Sequence, residues 1–364
     1  MITIKQAHFF PHTQIYVKNA HHIYLSFSVI LLQIIKMSAK KRVAVLCGGY
    51  TAERNISLGS GDVVMRNMDL TKYEPYKVIV NADKWIVEPE DVFVDLDTFS
   101  CDIDGNKIQF DVAFIAIHGS PGEDGKLQGY LDMKKIPYTS CDVIASAITF
   151  NKNFCKSLLK EVQVPMAKGL LIQRNDKLDE QIKQITDHFS LPLFVKPNNN
   201  GSSYGVSKIK EITALKEAIV NSFNYDEEVL VEEGLTGTEV TCGVYRYQNK
   251  IIVLPICEIV AGKHDFFDYT AKYTPGESDE IIPARISDIA ANKVSEHSSK
   301  IYQYLGCKGV VRIDYILAEE TPHFLEVNTI PGISEASIVP KMAVASGLTL
   351  PEFFGRLIEE AAHH

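Results

Sequence analysis

Between Gly309 and Ser334 the chain reads Gly-Val-Val-Arg-Ile-Asp-Tyr-Ile-Leu-Ala-Glu-Glu-Thr-Pro-His-Phe-Leu-Glu-Val-Asn-Thr-Ile-Pro-Gly-Ile-Ser, two apolar or alternating runs on either side of Glu319, Glu320, Thr321 and Pro322. The pattern predicts a β-hairpin with those four residues as its turn. Polar residues interrupt it at a period of two, so Arg312 and Asp314 share a face of one strand and Glu326 and Asn328 share a face of the other. If the strands pair, Asp314, Glu326 and Asn328 converge as oxygen ligands of the kind Mg²⁺ prefers, with phosphate oxygens and water completing the shell and Arg312 as a fixed cation. A hairpin with one solvated face produces the same alternation. Asn328 followed by Thr-Ile-Pro-Gly, a turn able to expose backbone N–H groups, favours the metal-and-phosphate reading.

Upstream, Arg42 to Cys47 reads as a short strand that runs into Gly48-Gly49 and then a helix from near Ser57, the opening of an α/β domain. Strands follow near 76–80 and 111–117, the second ending in His118-Gly-Ser-Pro-Gly-Glu-Asp-Gly. Glu53 and His118, with Glu123, thus fall at the carboxyl ends of strands, where open α/β sheets place ligand groups. Each alone is more commonly a solvated or structural loop residue. Gly59-Ser-Gly61 is followed by Val64 where a dinucleotide fingerprint needs its third glycine, and Gly125-Lys126 lacks the neighbours of a P-loop, so neither is read as a nucleotide motif.

From about Cys141 the pattern changes, with helices expected over 151–161 and 177–188 and strands over 168–173, 191–196 and 204–209. Between the last two lies Lys196-Pro-Asn-Asn-Asn-Gly-Ser-Ser-Tyr-Gly-Val. Such a small-residue loop can fold over phosphates and donate N–H groups, with Lys196 at its root as a point charge, although the same composition also makes an ordinary hairpin loop. Strands over 228–233, 238–247 and 250–256 bring Glu232, Glu233 and Glu239 close to a chain crossing. A polar loop from Ala261 to Pro283, long enough to serve as a lid, carries Asp-Tyr-Thr-Ala-Lys-Tyr ending in Lys272 and Tyr273. Helices over 286–305 and 349–362 complete the chain, the second with Thr349 and Pro351 as starting signals.

Composition narrows this picture. At 364 residues with 46% hydrophobic content, two or three domains have ample material for cores, and a net charge of −9 argues against a broad nucleic-acid face. The seven cysteines are scattered without a CxxC pair, which suits buried thiols in a reducing cytoplasm. Residues 1–36 lack acids and hold an apolar run, Ile23 to Ile35, that is shorter than the ~20 residues a membrane span needs; a signal peptide is conceivable from that run, but its small-residue cleavage pattern is poor. Met37 followed by Ser-Ala-Lys-Lys-Arg reads as the natural beginning, and 1–36 as a disordered or misassigned upstream extension outside the fold.

Six motifs taken in order resemble the D-alanine:D-alanine ligases of the ATP-grasp superfamily: Gly-Gly-Tyr-Thr-Ala-Glu-Arg-Asn-Ile-Ser-Leu, His-Gly-Ser-Pro-Gly-Glu-Asp-Gly, the Lys196 loop, Asp-Tyr-Thr-Ala-Lys-Tyr, Arg-Ile-Asp and Glu-Val-Asn-Thr-Ile-Pro-Gly. The likeness runs from about Lys41 to the C-terminus. It implies an α/β, three-domain ATP-grasp ligase: a Rossmann-like N-terminal substrate domain (37–140), a central ATP-grasp subdomain (141–231) and a C-terminal subdomain (232–364) bearing lid and metal site. By the same resemblance Lys152, Lys196, Ser202 and Ser203 hold the phosphates of ATP, the backbone near Glu232, Glu233 and Leu235 holds adenine, and Glu239 holds ribose. Asp314, Glu326 and Asn328 carry two Mg²⁺ ions, with Mn²⁺ as a substitute.

The implied reaction passes through an acyl phosphate to D-alanyl-D-alanine for the cell wall. Arg312 and the Gly332 N–H match an oxyanion-stabilising pair, Lys272 the transferred phosphate, Glu53 the first ammonium with His118 beside its carboxylate, and Ser337 with the Ile338 backbone the second carboxylate. Glu53, Ser202 and Tyr273 match a triad that fastens the lid. Glu233 stands where some relatives carry Lys, and Ile338 where many carry Leu; both are expected to act through backbone. Tyr273 replaces the His of D-alanine:D-lactate ligases, favouring an amine over a hydroxy acid as second substrate. The alternatives are that depsipeptide chemistry and a non-catalytic ATP-binding module, the latter disfavoured by the complete set at 312, 314, 326, 328 and 332. A cytoplasmic homodimer, with no membrane or nucleic-acid partner, is what the resemblance suggests.

Overall fold

The computed structural model describes residues 40–201, 203–260, 262, 279–334 and 337–362. The expectation for 1–36 lies outside that range, as do Ser202, Lys272 and Tyr273. In the first layer the strands are β1 (Lys41–Gly48), β2 (Tyr73–Val80), β3 (Trp85–Glu88), β4 (Val92–Phe93) and β7 (Val112–Ile115), ordered β4-β3-β2-β1-β7, with β5 (Ser100–Ile103) and β6 (Asn106–Gln109) forming a separate hairpin. β1 pairs in parallel with both β2 and β7, and its continuous apolar run is buried along six consecutive positions, as a central parallel strand requires. Helix α1 (Arg54–Arg66) follows β1, and α2 (Lys126–Lys134) follows the glycine-rich loop after β7.

Helices α3 (Val143–Phe150) and α4 (Lys152–Leu159) lead into an antiparallel sheet, β10-β9-β11-β8, made of β8 (Gly169–Gln173), β9 (Leu193–Pro197), β10 (Ser207–Ile209) and β11 (Glu228–Glu233). β11 runs unbroken through Glu232, as the strand expected over 228–233. The sheet packs on α5 (Leu178–His188) and α6 (Leu215–Ser222) around its own core, which includes Ile172, Ile185, Val195, Ile219 and Val229. A third, antiparallel sheet contains β12 (Thr238–Tyr247), β13 (Lys250–Val253), β14 (Cys257–Val260), β15 (Asp279–Ile281), β16 (Val310–Ala318) and β17 (Thr321–Asn328). Helices α7 (Asp288–Tyr304), α8 (Ile338–Ala345) and α9 (Leu350–Ala361) complete it.

α9 begins at Thr349, whose hydroxyl accepts from the Glu352 N–H while the Glu352 carboxylate accepts from the Thr349 N–H, a reciprocal cap. Its Phe354 packs edge-on against Phe114 of the first sheet at 5.5 Å, and Phe353 against Tyr245 of the third at 5.4 Å. One apolar core therefore spans the first and third sheets, while the central sheet keeps its own.

The segment expected as one loop from 261 to 283 ends in β15, which pairs with β14. The hairpin turn is tighter than expected, two residues at Glu319 and Glu320. All seven cysteines are buried thiols, as expected, and among the described residues no helix is long and apolar enough to cross a membrane.

Candidate active site

The β16–β17 register sets Arg312 opposite Asn328 and Asp314 opposite Glu326, after which a bulge shifts Tyr315 to face Phe324. The two polar pairs predicted from the period of two therefore do meet across the ladder, and the irregularity starts just beyond them. Arg312 grips Asp314 in two places, Nε to Oδ1 at 2.9 Å and Nη2 to Oδ2 at 2.7 Å. Thr241 donates its hydroxyl to Asp314 Oδ1 at 2.5 Å from the neighbouring strand, and Asn328 Nδ2 donates to Oδ2 at 3.2 Å. A carboxylate only 5% exposed is stable here because of these donors.

This cluster is the wall between two clefts. One is lined by Lys152, Lys196, Ser203, Glu232, Glu233, Leu235, Glu239, Asp314 and Glu326; every described residue expected to hold ATP is among them. The other is lined by Glu53, His118, Glu123, Arg312, Asn328, Gly332, Ser337 and Ile338. Gly201 borders both, and a Cβ built there would lie 3.4 Å from the Glu53 carboxylate oxygens. A molecule in the first cleft can thus touch one in the second across Asp314 and Arg312.

The loop after β9 is fixed by its asparagines. Asn198, fully buried, accepts from the Asn153 N–H at 2.9 Å and donates to Glu228 at 2.7 Å, and Asn199 accepts from the Asn151 side chain at 2.8 Å. The loop is thereby tied to the start of α4, whose Lys152 donates Nζ to the Asn200 carbonyl at 2.5 Å and lies 3.7 Å from Glu326. Glu233 turns its carboxylate to the Ser190 N–H at 3.0 Å. Lys196, in contrast, bonds the carboxylate of Glu232, whose other oxygen is held by Lys156. Neither Lys156 nor that arrangement was foreseen, yet Lys156 stands one helical turn after Lys152 on the same face.

In the second cleft two glycines are required by close approach. At Gly119, φ is +68° and a Cβ would come 2.6 Å from Glu53 Oε2; at Gly332 it would come 2.7 Å from the Ser337 hydroxyl. His118 donates Nδ1–H to the Ile330 carbonyl at 2.9 Å, so its neutral ring presents Nε2 as acceptor to the buried Ser60 hydroxyl at 2.9 Å. Burial lowers the His118 pKa against the opposing pull of Glu53, keeping the ring in that neutral state. Ser60 was passed over as part of an incomplete fingerprint; its helical position facing the sheet was the signal.

Burial, reinforced by the Glu53 carboxylate, pushes the Glu123 carboxyl up to about 8 from an ordinary 4.5. Below pH 4.5 the group is protonated in both states; between 4.5 and about 8 the folded state alone keeps the proton while the unfolded state gains by ionising, so this group's contribution to stability falls as pH rises through that window. Glu123→Gln removes that loss. The melting temperature of the variant is expected to gain on that of the parent between pH 5 and pH 8; a difference independent of pH would show that Glu123 ionises normally.

Among the described residues no cluster of three or more His, Cys, Asp or Glu could hold a metal. The protein brings two opposed carboxylates and an amide, hard oxygen donors of the number Mg²⁺ takes from a protein when phosphates and water supply the rest.

The family model for the D-ala D-ala ligase N-terminus matches residues 42–141, and that for the C-terminus matches 158–359. A curated relative, D-alanine–D-alanine ligase of Azobacteroides pseudotrichonymphae, is 44% identical over 323 residues, covering 88% of this chain and 99% of its own. Among solved structures, D-alanyl-alanine synthetase A from Vibrio cholerae superposes with a TM-score of 0.81 at 26% identity, over 89% of this chain and 99% of that one. A Bacillus anthracis D-alanine–D-alanine ligase complexed with ATP gives 0.72 at 28%, over 90% and 98%. With family models matched over 42–141 and 158–359 and a relative 44% identical over 88% of the chain, the chain belongs to the D-alanine–D-alanine ligase family.

Proposed function

We propose that this chain joins two D-alanine molecules into D-alanyl-D-alanine for peptidoglycan synthesis, with cleavage of ATP to ADP and phosphate. The observation that carries the reading is the shared wall: the Arg312–Asp314 pair separates a cleft lined by Lys152, Lys196 and Glu239 from one lined by groups suited to a small zwitterion. In this reading adenine lies against the backbone of Glu232, Glu233 and Leu235, ribose on Glu239, and the phosphates among Lys152, Lys196, Ser202 and Ser203. Asp314, Glu326 and Asn328 would hold two Mg²⁺ ions, which supply charge neutralisation at the phosphoryl oxygens.

Glu53 takes the ammonium of the first D-alanine, and His118 stands beside its carboxylate. A carboxylate oxygen attacks the γ-phosphorus, the β–γ bridging oxygen leaves with ADP, and an acyl phosphate results. The free amine of the second D-alanine, with its carboxylate at Ser337 and the Ile338 N–H, then adds to the acyl carbon. Arg312 and the Gly332 N–H face the oxygen that gains charge, and collapse expels phosphate as the amine loses its proton. Lys272 would help hold the transferred phosphate, and the triad of Glu53, Ser202 and Tyr273 would fasten the lid that keeps water from the acyl phosphate. The expected setting is cytoplasmic and homodimeric.

Phosphate release from MgATP, compared with D-alanine, L-alanine, and D-alanine plus D-lactate, tests this. Release that requires D-alanine and yields its dipeptide by mass is the expected result. A depsipeptide in preference to the dipeptide would move the chain to the D-lactate class, and no release with any pair would leave a nucleotide-binding module.

A further inference from the structure

The Glu232 carboxylate lies between two lysines, Lys196 on the cleft side and Lys156 on the other, and is only 2% exposed. Burial and the Lys196 cation pull the Lys156 pKa down, and its direct contact with the carboxylate is what keeps it an ammonium. Lys196 and Glu232 both line the nucleotide cleft, whereas Lys156 does not; it lines a separate cavity behind it together with Asn153, Lys160, Lys168 and Glu232. Glu232 is thus the only residue of the three shared by both spaces. Resting on the assignment of Lys196 to the ATP phosphates, we propose that Lys156 is a positioning residue for ATP. It neutralises Glu232 from behind, so that Lys196 can leave that carboxylate for a phosphate oxygen when nucleotide enters.

The argument is one of counter-ions. In the ligand-free protein Glu232 holds Lys196 at the root of the phosphate loop. Transfer of Lys196 to a phosphate would leave Glu232 as a nearly dry anion, a state proteins avoid unless a second cation remains. Lys156 is 6% exposed and already bonded to the far oxygen. It stays while Lys196 moves, and the pair left behind is neutral. Without Lys156, Glu232 competes with phosphate for Lys196.

The variants Lys156→Met, Lys156→Arg, Lys196→Met and the double variant Lys156→Met/Glu232→Gln separate the possibilities, each assayed for kcat and for KM of ATP and of D-alanine in the full chain. Lys156→Met is expected to raise the KM for ATP by about tenfold while kcat at saturating ATP and the KM for D-alanine stay within about twofold. Lys156→Arg retains a cation facing Glu232 and should recover most of the loss. The double variant removes the competing carboxylate together with its partner, so its ATP KM should return to within about threefold of the parent; it carries neither buried charge, which keeps the test open if the single variant folds poorly.

An ATP KM that does not move in Lys156→Met, or a folded double variant as weak as the single one, would overturn the proposal in favour of a purely structural ion pair. An unchanged ATP KM in Lys196→Met would instead remove the phosphate role of Lys196, and the proposal with it.

Discussion

Glu326→Gln and Asp314→Asn are each expected to lower turnover by roughly 10³-fold, the rate equivalent of about 4 kcal/mol of lost charge stabilisation at the phosphoryl group. The two differ in what they do to the fold. Glu326 is half-buried and Lys152 lies 3.7 Å from its carboxylate, so its amide should change the melting temperature less than the one at Asp314. Asp314 is the acceptor for Arg312, Thr241 and Asn328, and an amide there meets Arg312 without its countercharge. A fall in melting temperature of a few degrees is expected in that variant. Circular dichroism and thermal melts beside initial rates check both points. Near-parent rates in folded Glu326→Gln would remove the metal assignment.

Arg312→Met carries the second large effect. Its guanidinium lies at the junction of the clefts, where the phosphoryl transfer and the acyl addition both build negative charge on oxygen. Loss of one fixed donor of this kind costs about 10²–10³ in kcat. Arg312→Lys should recover little, because a single ammonium cannot reproduce the two-point grip on Asp314 and still face substrate. Arg312→Met also strands the Asp314 carboxylate, at a cost of about 3–5 kcal/mol for a broken buried pair, so its melting temperature should fall further than that of Asp314→Asn. A kcat within a few-fold of the parent in Arg312→Lys would show that a point charge suffices and that the bidentate geometry is incidental to catalysis.

The hairpin that carries these residues was readable because its polar interruptions keep a strict period of two, and that period survives in the ladder as the opposed pairs 312/328 and 314/326. The last helix and the strand Glu228–Glu233 were equally plain, since Thr349 with Pro351 is a local starting signal and Val229, Leu230 and Val231 are a local apolar run. What escaped was either short or long-range. The β5–β6 hairpin carries few apolar residues, and its only sign is the Asp104-Gly105 turn, where both residues adopt positive φ. β15 has three residues and gains its identity from pairing with β14.

In the site, Glu53, His118, Arg312, Gly332, Ser337 and Ile338 were named and line one cleft. The partners that orient them were not. Ser60 on His118, Thr241 on Asp314 and Lys156 on Glu232 come from other segments of the chain, and their sequence positions mark at most a helix face, not the partner across the fold. Glu123 was visible in its motif, but the burial that raises its pKa depends on the packed cleft.

The central claim is that a D-alanine carboxylate is phosphorylated across the Arg312–Asp314 wall and that the phosphate then leaves from carbon. D-Alanine labelled with ¹⁸O in its carboxylate, incubated with MgATP and the full chain, tests this by mass analysis of the released phosphate. The account predicts one ¹⁸O per phosphate, transferred from the alanine that became the acyl half of the dipeptide, at the rate of dipeptide formation. Phosphate free of label, formed at that same rate, would mean that ATP is hydrolysed by water and that the peptide bond is made without an acyl phosphate.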